Sequence, residues 1–370
     1  MGKRIFLFVS NDLACDNRVN RVAVTLTNAG HEVTVIGRKL PQSLPLPNVP
    51  YQTKRMRFLF RKSFLFYAEM NFRYFLFLLF SRYDIATAND LDTLLGVCLA
   101  VKLRRKEIVY DSHEFFTEVP ELIGKPVKKS IWISIERHIL PKLHHCMTVC
   151  KSISEEYRNL YNINMQVVRN VPFRKTEEIV PATVQLPSQN VILYQGALNV
   201  GRGLELAIDS LEFLMDSCLL IVGDGDKFHE LKEYAREKTW CDRIVFIGRV
   251  PFSDLAKYTV LASVGISLEE DLGKNYRFAL PNKLFDYIQA GKPVVVSNLP
   301  EMSEIVSSYK CGEILKERSP QVLAQLLEKI ICDETMEYQK GCIRASEELC
   351  WERESAKVVG LYNELIAGVH

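Results

Sequence analysis

The sequence predicts an α/β chain of two Rossmann-like domains facing a central cleft. Three observations carry this reading. Short β-rich runs alternate with helical patterns along the chain. The alternation breaks once, at a polar stretch with three prolines spanning 172–190. Polar or glycine residues also stand directly behind one strand after another. Strands separated by helical patterns mean parallel sheets assembled from right-handed βαβ units.

In the first half the strands read RIFLFVS (4–10), EVTVIG (32–37), DIATA (84–88), EIVYD (107–111), CMTVC (146–150) and QVV (166–168). Helical patterns fit between them at 18–29, 63–82, 91–104, 127–140 and 152–161. These make a first domain over 1–171, followed by a linker over 172–189. The alternation restarts with VILYQ (191–195), CLLIVG (218–223), RIVFIG (243–248), SVGISL (263–268) and PVVVSN (293–298). That is a second domain, over 190–349. A last helix, about 350–370, is expected to pack back on the first domain.

At 370 residues the chain is long enough for two cores. A hydrophobic content of 48% with 25% charged residues is ordinary for a globular protein, and the net charge of +2 gives no case for nucleic acid. Ten cysteines without framework spacing read as reduced thiols in a cytosolic protein. The one metal-like cluster, HHCMTVC at 144–150, fails on geometry: a strand carries Cys146 and Cys150 ~13 Å apart, too far to share a zinc ion. No metal is expected. The apolar run Ile5–Val9 ends at once in Ser-Asn-Asp, unlike a secretion signal. YFLFLLF, 74–80, is far shorter than the ~20 residues a membrane span needs. The expected location is the cytoplasm.

Asn11-Asp12, Asn89-Asp90, Asp111-Ser-His113, Gly196, Gly223-Asp-Gly225 and Gly248-Arg249 each follow a strand. Ligands of open α/β sheets bind beyond these strand ends. YQGALNVGRG, 194–203, is a glycine-rich turn in which Gly196, Gly201 and Gly203 let backbone N–H groups approach an anion, with Arg202 beside them. It is not a Walker loop, since no Gly-Lys-Ser/Thr follows. In LPNKLFDYIQAGKPVVVSN, 280–298, Pro281 takes the first helical position and Lys283 lies in the first turn. A cation there opposes the helix dipole unless an anion is bound. Asp286 shares its face and suits the hydroxyls of a ribose, or else forms a surface pair with Lys283. In EIVYDSHEFFTE, Asp111 and Glu114 flank His113 and can tune its protonation. Asp12, Asp16 and Arg18 lie in a loop suited to a polyhydroxylated ligand.

Together these segments resemble the retaining glycosyltransferases of family 4, the group 1 type. DNRVNRVAVTLTNAGHEVTVIG resembles the family's first βαβ unit; ANDLDTLL and IVYDSHEFFTE resemble its acceptor-side loops. CKSISEEY and VVRNVPF resemble the segment that enters the linker. YQGALNVGRGLELAIDSL, LLIVGDGD, VFIGRVPFSDLAKYTVLASVGISL and LPNKLFDYIQAGKPVV resemble the donor-binding domain, the last being the most specific. The resemblance implies the GT-B glycosyltransferase fold, a UDP- or GDP-sugar as co-substrate, no cofactor and no metal. It implies transfer, with retention, to a glycan or lipid-linked acceptor in cell-surface polysaccharide synthesis.

Carried over by position, His113 lies beside the transferred sugar and Arg202 holds the diphosphate, with Lys283 as a further cation. The donor site takes in Gly196, Gly201, Gly203, Gly223, Gly225, Gly248, Arg249, Val250, Leu280, Pro281, Asn282 and Asp286. Asp12, Asp16, Arg18 and Asp90 face the acceptor. Three departures stand out. Phe278 replaces the first glutamate of the E-x7-E motif, Ala197 replaces a common arginine, and the first loop lacks its glycine pair. A nucleotide-sugar epimerase on this fold and a non-catalytic carbohydrate-binding homologue fit the same residues. Segment 54–82 has seven Lys or Arg against one Glu, with ten aromatics, which suits peripheral contact with an anionic membrane.

Overall fold

A computed structural model describes residues 2–13, 16–43, 45–46, 48–122, 124–174 and 178–368. The chain divides into two compact units, one of residues 1–170 with 353–370 and the other of residues 171–352.

In the first unit the strands are β1 (Arg4–Asp12), β2 (Glu32–Arg38), β3 (Gln52–Met56), β4 (Ile85–Asn89), β5 (Glu107–Ser112), β6 (Cys146–Thr148) and β7 (Gln166–Val167). They form one parallel sheet in the order β3-β2-β1-β4-β5-β6-β7. The helices are α1 (Asn17–Asn28), α2 (Ser63–Phe80), α3 (Leu91–Arg104), α4 (Pro126–Ile139) and α5 (Lys151–Tyr161). Central β4 is buried at every position, as a parallel strand covered on both faces must be. Asn71 joins α2 to α3: its Nδ2 donates to the Asp92 carbonyl (2.7 Å) and its Oδ1 accepts from the Gly96 N–H (2.8 Å). The helices press close there, since a Cβ on Gly96 would lie 2.2 Å from the Asn71 carbonyl oxygen.

In the second unit the strands are β8 (Asn190–Gln195), β9 (Ser217–Val222), β10 (Ile244–Gly248), β11 (Val264–Ser267), β12 (Val294–Ser297) and β13 (Gly312–Leu315). Their order is β10-β9-β8-β11-β12-β13, again parallel. The helices are α6 (Leu204–Ser210), α7 (Phe228–Arg236), α8 (Phe252–Thr259), α9 (Lys274–Arg277), α10 (Asn282–Gln289), α11 (Pro300–Tyr309), α12 (Pro320–Ile331) and α13 (Glu337–Glu348). A last helix, α14 (Trp351–Ala367), begins in this unit; from Arg353 onward it groups with the first. There the Tyr362 hydroxyl lies 2.5 Å from Thr87 Oγ1 on β4.

Two strands have no counterpart in the sequence reading. β3 is an edge strand, and its sequence QTKRM has no apolar alternation because most of it faces solvent. β13 is the edge of the second sheet. In the linker the described residues form neither helix nor strand, and Lys175–Glu177 lie outside the described residues. The described cysteines are free thiols, and Cys15 lies outside the described residues.

Both sheets reverse their strand order once, between β1 and β4 and between β8 and β11. A crevice opens at such a reversal because the helices on either side leave in opposite directions.

Candidate functional site

In the second unit the reversal brings together the ends of β8 and β11, and α10 lies over them. Tyr287 fixes that helix: its hydroxyl donates to the Leu193 carbonyl (3.1 Å) and accepts from the Gln195 N–H (3.1 Å). Gly265 makes room for the ring, since a Cβ there would stand 2.4 Å from it. The helix begins at Asn282, so Pro281 is its cap residue and not its first helical one.

Lys283 turns inward and is 8% exposed. Its Nζ is 2.8 Å from Glu269 Oε1 and 4.0 Å from the centre of the Tyr194 ring. The surface pair that the Lys283–Asp286 spacing allows does not form. Glu269 is the carboxylate that neutralises Lys283 against its own helix dipole. Asp286 instead accepts a hydrogen bond from Gln195 Nε2 (3.1 Å), whose Oε1 in turn accepts from Thr259 Oγ1 (2.8 Å).

Glu269 is fully buried, and Ser267 Oγ donates to its Oε2 at 2.7 Å. Its Oε1 is also 3.6 Å from an Arg202 guanidinium nitrogen. Burial pushes the carboxyl up, but Lys283, Ser267 and Arg202 together outweigh it and hold the group below its ordinary value. Two cations therefore share one carboxylate. Lys283 Nζ and Glu269 Oε1 satisfy each other, while Arg202 Nε is buried without a hydrogen-bond partner. Sequence reasoning missed Glu269. The signal was available, because it stands two residues past β11 as the other candidates stand past their strands.

The glycine turns fit closely around these groups. Gly196 donates to the Val222 carbonyl and Gly223 to that of Gly248, both at 2.9 Å, which ties three strand ends in a row. Gly203 has φ +69°, and a Cβ there would lie 2.4 Å from the Leu268 carbonyl oxygen. The Gly201 carbonyl accepts from the Glu270 N–H at 2.9 Å. The turn bearing Arg202 is thus pressed onto the segment bearing Glu269. The Gly225 N–H donates to Asp224 Oδ1 (2.8 Å), while Arg249, exposed, and Val250 follow edge strand β10. Leu280, Pro281 and exposed Asn282 lead into α10.

In the first unit the corresponding reversal gathers Asp90, Asp111 and His113. Asp111 is fully buried and accepts from Arg18 Nε (2.9 Å) and Nη2 (2.6 Å). His113 Nε2 is 3.2 Å from Asp111 Oδ2, and Nδ1 is 3.3 Å from Asp90 Oδ2. The His113 N–H donates to Asp90 Oδ1 at 2.7 Å. Asp90 has φ 61° and ψ 165°, a region nearly restricted to glycine, and such strain clusters at functional sites. Burial pushes Asp90 up, to about 8, against the pull of His113. Asp111 is held at about 2, because Arg18 and His113 outweigh its burial. Burial lowers His113, but Asp90 and Asp111 outweigh that and raise it to about 9.

The other three acceptor-side residues are already engaged. Arg18 lies within α1, 2% exposed, with its guanidinium on Asp111 and the Val168 carbonyl (2.7 Å), so it does not sit in an open loop. Asp16 caps α1 by accepting from the Val19 N–H (3.0 Å), and Asp12 ends β1 in an ion pair with Arg55 (2.9 Å). Among the described residues no group of three His, Cys, Asp or Glu is arranged to hold a metal ion.

The family model for Glycosyltransferase Family 4 matches residues 16–172, and that for glycosyl transferases group 1 matches residues 175–349. A curated relative, the uncharacterized glycosyltransferase MJ1607 of Methanocaldococcus jannaschii, is 23% identical over 211 residues. The match takes in 50% of each chain, so this chain spans about half the length of that relative. Among solved structures, sucrose-phosphate synthase from Thermosynechococcus elongatus superposes with a TM-score of 0.80 at 16% identity, over 99% of this chain and all of that one. HepE of Anabaena, in complex with UDP-glucose, gives 0.73 at 14% identity, over 98% of this chain and 100% of that one. Both likenesses concern the fold. With the two family models meeting near residue 173 and both sheets reversing at the residues described, the chain belongs to the group 1 glycosyltransferases of family 4 and has their two-Rossmann GT-B fold.

Proposed function

We propose that the protein transfers a sugar from a UDP- or GDP-sugar to a glycan or lipid-linked acceptor, with retention of configuration, in cell-surface polysaccharide synthesis. The observation that carries this reading is the pair of cations, Arg202 and Lys283, held on one buried carboxylate beside a glycine turn. A nucleoside diphosphate is the leaving group such a pair suits. The bond from the anomeric carbon to the phosphate oxygen breaks, and that carbon bonds to an acceptor hydroxyl oxygen, whose proton is released. Negative charge grows on the departing diphosphate, where prepositioned cations act most strongly. Asp286 binds the ribose hydroxyls, and His113 binds the transferred sugar. HepE, a protein of similar fold, has been crystallised with UDP-glucose, which supports a donor of that class. Metal independence and retention rest on the family resemblance.

The acceptor reading draws on exposed residues of the first unit. Arg57, Arg61 and Lys62 are exposed beside Leu59 (80% exposed), Phe64 (56%) and Leu65 (53%). Such a surface suits the anionic face of a membrane, where a lipid-linked acceptor resides.

The test is the mass of the products from UDP- and GDP-sugars mixed with a panel of glycan and lipid-linked acceptors. An acceptor heavier by one sugar residue, with free nucleoside diphosphate, is the expected result. An epimerised donor, or binding with no turnover of any donor, would replace the transferase reading with one of its two rivals.

A further inference from the structure

The Arg202–Glu269–Lys283 cluster carries more than a list of donor contacts. Two positive charges face one negative charge where Lys283 is 8% exposed and Glu269 is completely buried. A buried ion cluster is stable only when its charges are balanced and its polar atoms hydrogen-bonded. Lys283 and Glu269 satisfy each other at 2.8 Å, which leaves one positive charge over on Arg202, whose side chain is 26% exposed and whose Nε is buried without a hydrogen-bond partner. A surplus cation with an unpartnered nitrogen, open on one side to solvent, suits an anion.

From this imbalance we infer that Glu269 is a positioning residue that competes with the donor diphosphate for Arg202 and Lys283. With the site empty, Glu269 holds both cations in place and screens their mutual repulsion. When a diphosphate arrives, the same cations face two anions. The carboxylate then repels the diphosphate and limits how tightly it is held, which eases release of the product. Ser267, donating to Oε2 at 2.7 Å, keeps Glu269 in its anionic form and its Oε1 toward the cations. The inference rests on the donor reading above.

Isothermal titration of the wild type and Glu269→Gln with UDP, GDP and inorganic pyrophosphate at matched ionic strength tests it. Glu269→Gln removes the charge and keeps the shape. The expected result is affinity at least fivefold tighter for whichever nucleoside diphosphate the wild type binds, with a steeper loss of affinity as salt rises. Its melting temperature without ligand should be lower and its ligand-induced shift larger. Should the variant be unfolded alone, refolding on addition of pyrophosphate supports the inference, because the anion then replaces the missing charge. A variant that pyrophosphate does not restore overturns it, as does a folded variant with equal or weaker affinity; Glu269 would then serve the fold. A wild type that binds none of the three probes refutes the donor reading itself, a separate outcome.

Discussion

Removing Lys283 does two things at once. On the proposed donor site it takes a cation from the leaving group, and it leaves Glu269 buried with Arg202, 3.6 Å away, as its remaining cation. Breaking a buried pair destabilises a protein by about 3–5 kcal/mol. Lys283→Ala is therefore expected to melt earlier than the wild type, and its kinetics must be read well below that temperature. There, turnover should fall by about tenfold or more while donor binding weakens less, because the cation acts mainly on charge that develops in the transition state. Asp286 should behave differently, since ribose hydroxyls do not change during the reaction. Asp286→Asn is expected to raise the donor Michaelis constant about five- to tenfold with a smaller effect on turnover, the signature of lost uniform binding. Steady-state kinetics of both variants checks this; two variants within about twofold of the wild type would remove Lys283 and Asp286 from the proposed donor site. The sequence marked Arg202, Lys283 and Asp286 through turn chemistry and helix position. It could not mark the Glu269–Lys283 contact, which arises only when the end of β11 meets the first turn of α10.

At the scale of elements, legibility followed apolar pattern. Central strand β9, buried at every position, stood out as the continuous apolar run CLLIV. Edge strands β3 and β13 did not, because QTKRM is mostly polar and GEIL carries only two apolar residues together. The basic segment starts on one of these edge strands. Lys54 and Arg55 belong to β3: Lys54 Nζ lies 4.2 Å from the Phe77 ring centre, and Arg55 is paired with Asp12. The surface that remains is the loop after β3 and the start of α2. Glu69 shapes it by accepting the Leu59 and Phe60 N–H groups, each at 2.9 Å. The rest of α2 packs inward through Phe66, Met70, Asn71, Tyr74 and Leu78. Among the described residues no helix is long and apolar enough to cross a membrane. The proposed peripheral contact therefore falls to Arg57, Leu59, Phe60, Arg61, Lys62, Phe64 and Leu65. Co-sedimentation with phosphatidylglycerol vesicles is expected, falling as salt rises. Charge reversal at Arg57, Arg61 and Lys62 should reduce it by about tenfold or more, at ~1 kcal/mol for each basic residue near the surface. Equal recovery in the supernatant with and without vesicles would remove the membrane from the proposed function.

Across the whole molecule, each unit places its charged cluster where its sheet reverses, and the two clusters are built on opposite plans. In the second unit two cations share one carboxylate. In the first, His113 lies between the carboxyl groups of Asp111 and Asp90, with Arg18 behind Asp111. The first arrangement ties stability to pH. His113 has an ordinary value of 6.5, raised to about 9 in the folded protein, so its contribution is fully present below pH 6.5. Between pH 6.5 and 9 the folded state keeps a proton that the unfolded chain has released, and stability falls as pH rises. Burial raises the Asp90 carboxyl above its ordinary 3.8, which acts in the same direction; Asp90 and His113 lie 3.3 Å apart, so the two titrate as one pair. Asp111, held at about 2, adds stability above pH 3.8 that disappears only as pH falls through 2, so it leaves the alkaline interval unchanged. The urea midpoint, followed by circular dichroism, should therefore decline from pH 6.5 to 9 in the wild type. His113→Gln keeps the size and polarity of the side chain but cannot titrate, and its midpoint should decline less over the same interval. Comparing the two proteins at each pH cancels groups elsewhere in the chain, including those of the second unit. Parallel declines would mean that His113 carries no extra proton in the folded state, and that the carboxylates around it do not hold it as an imidazolium.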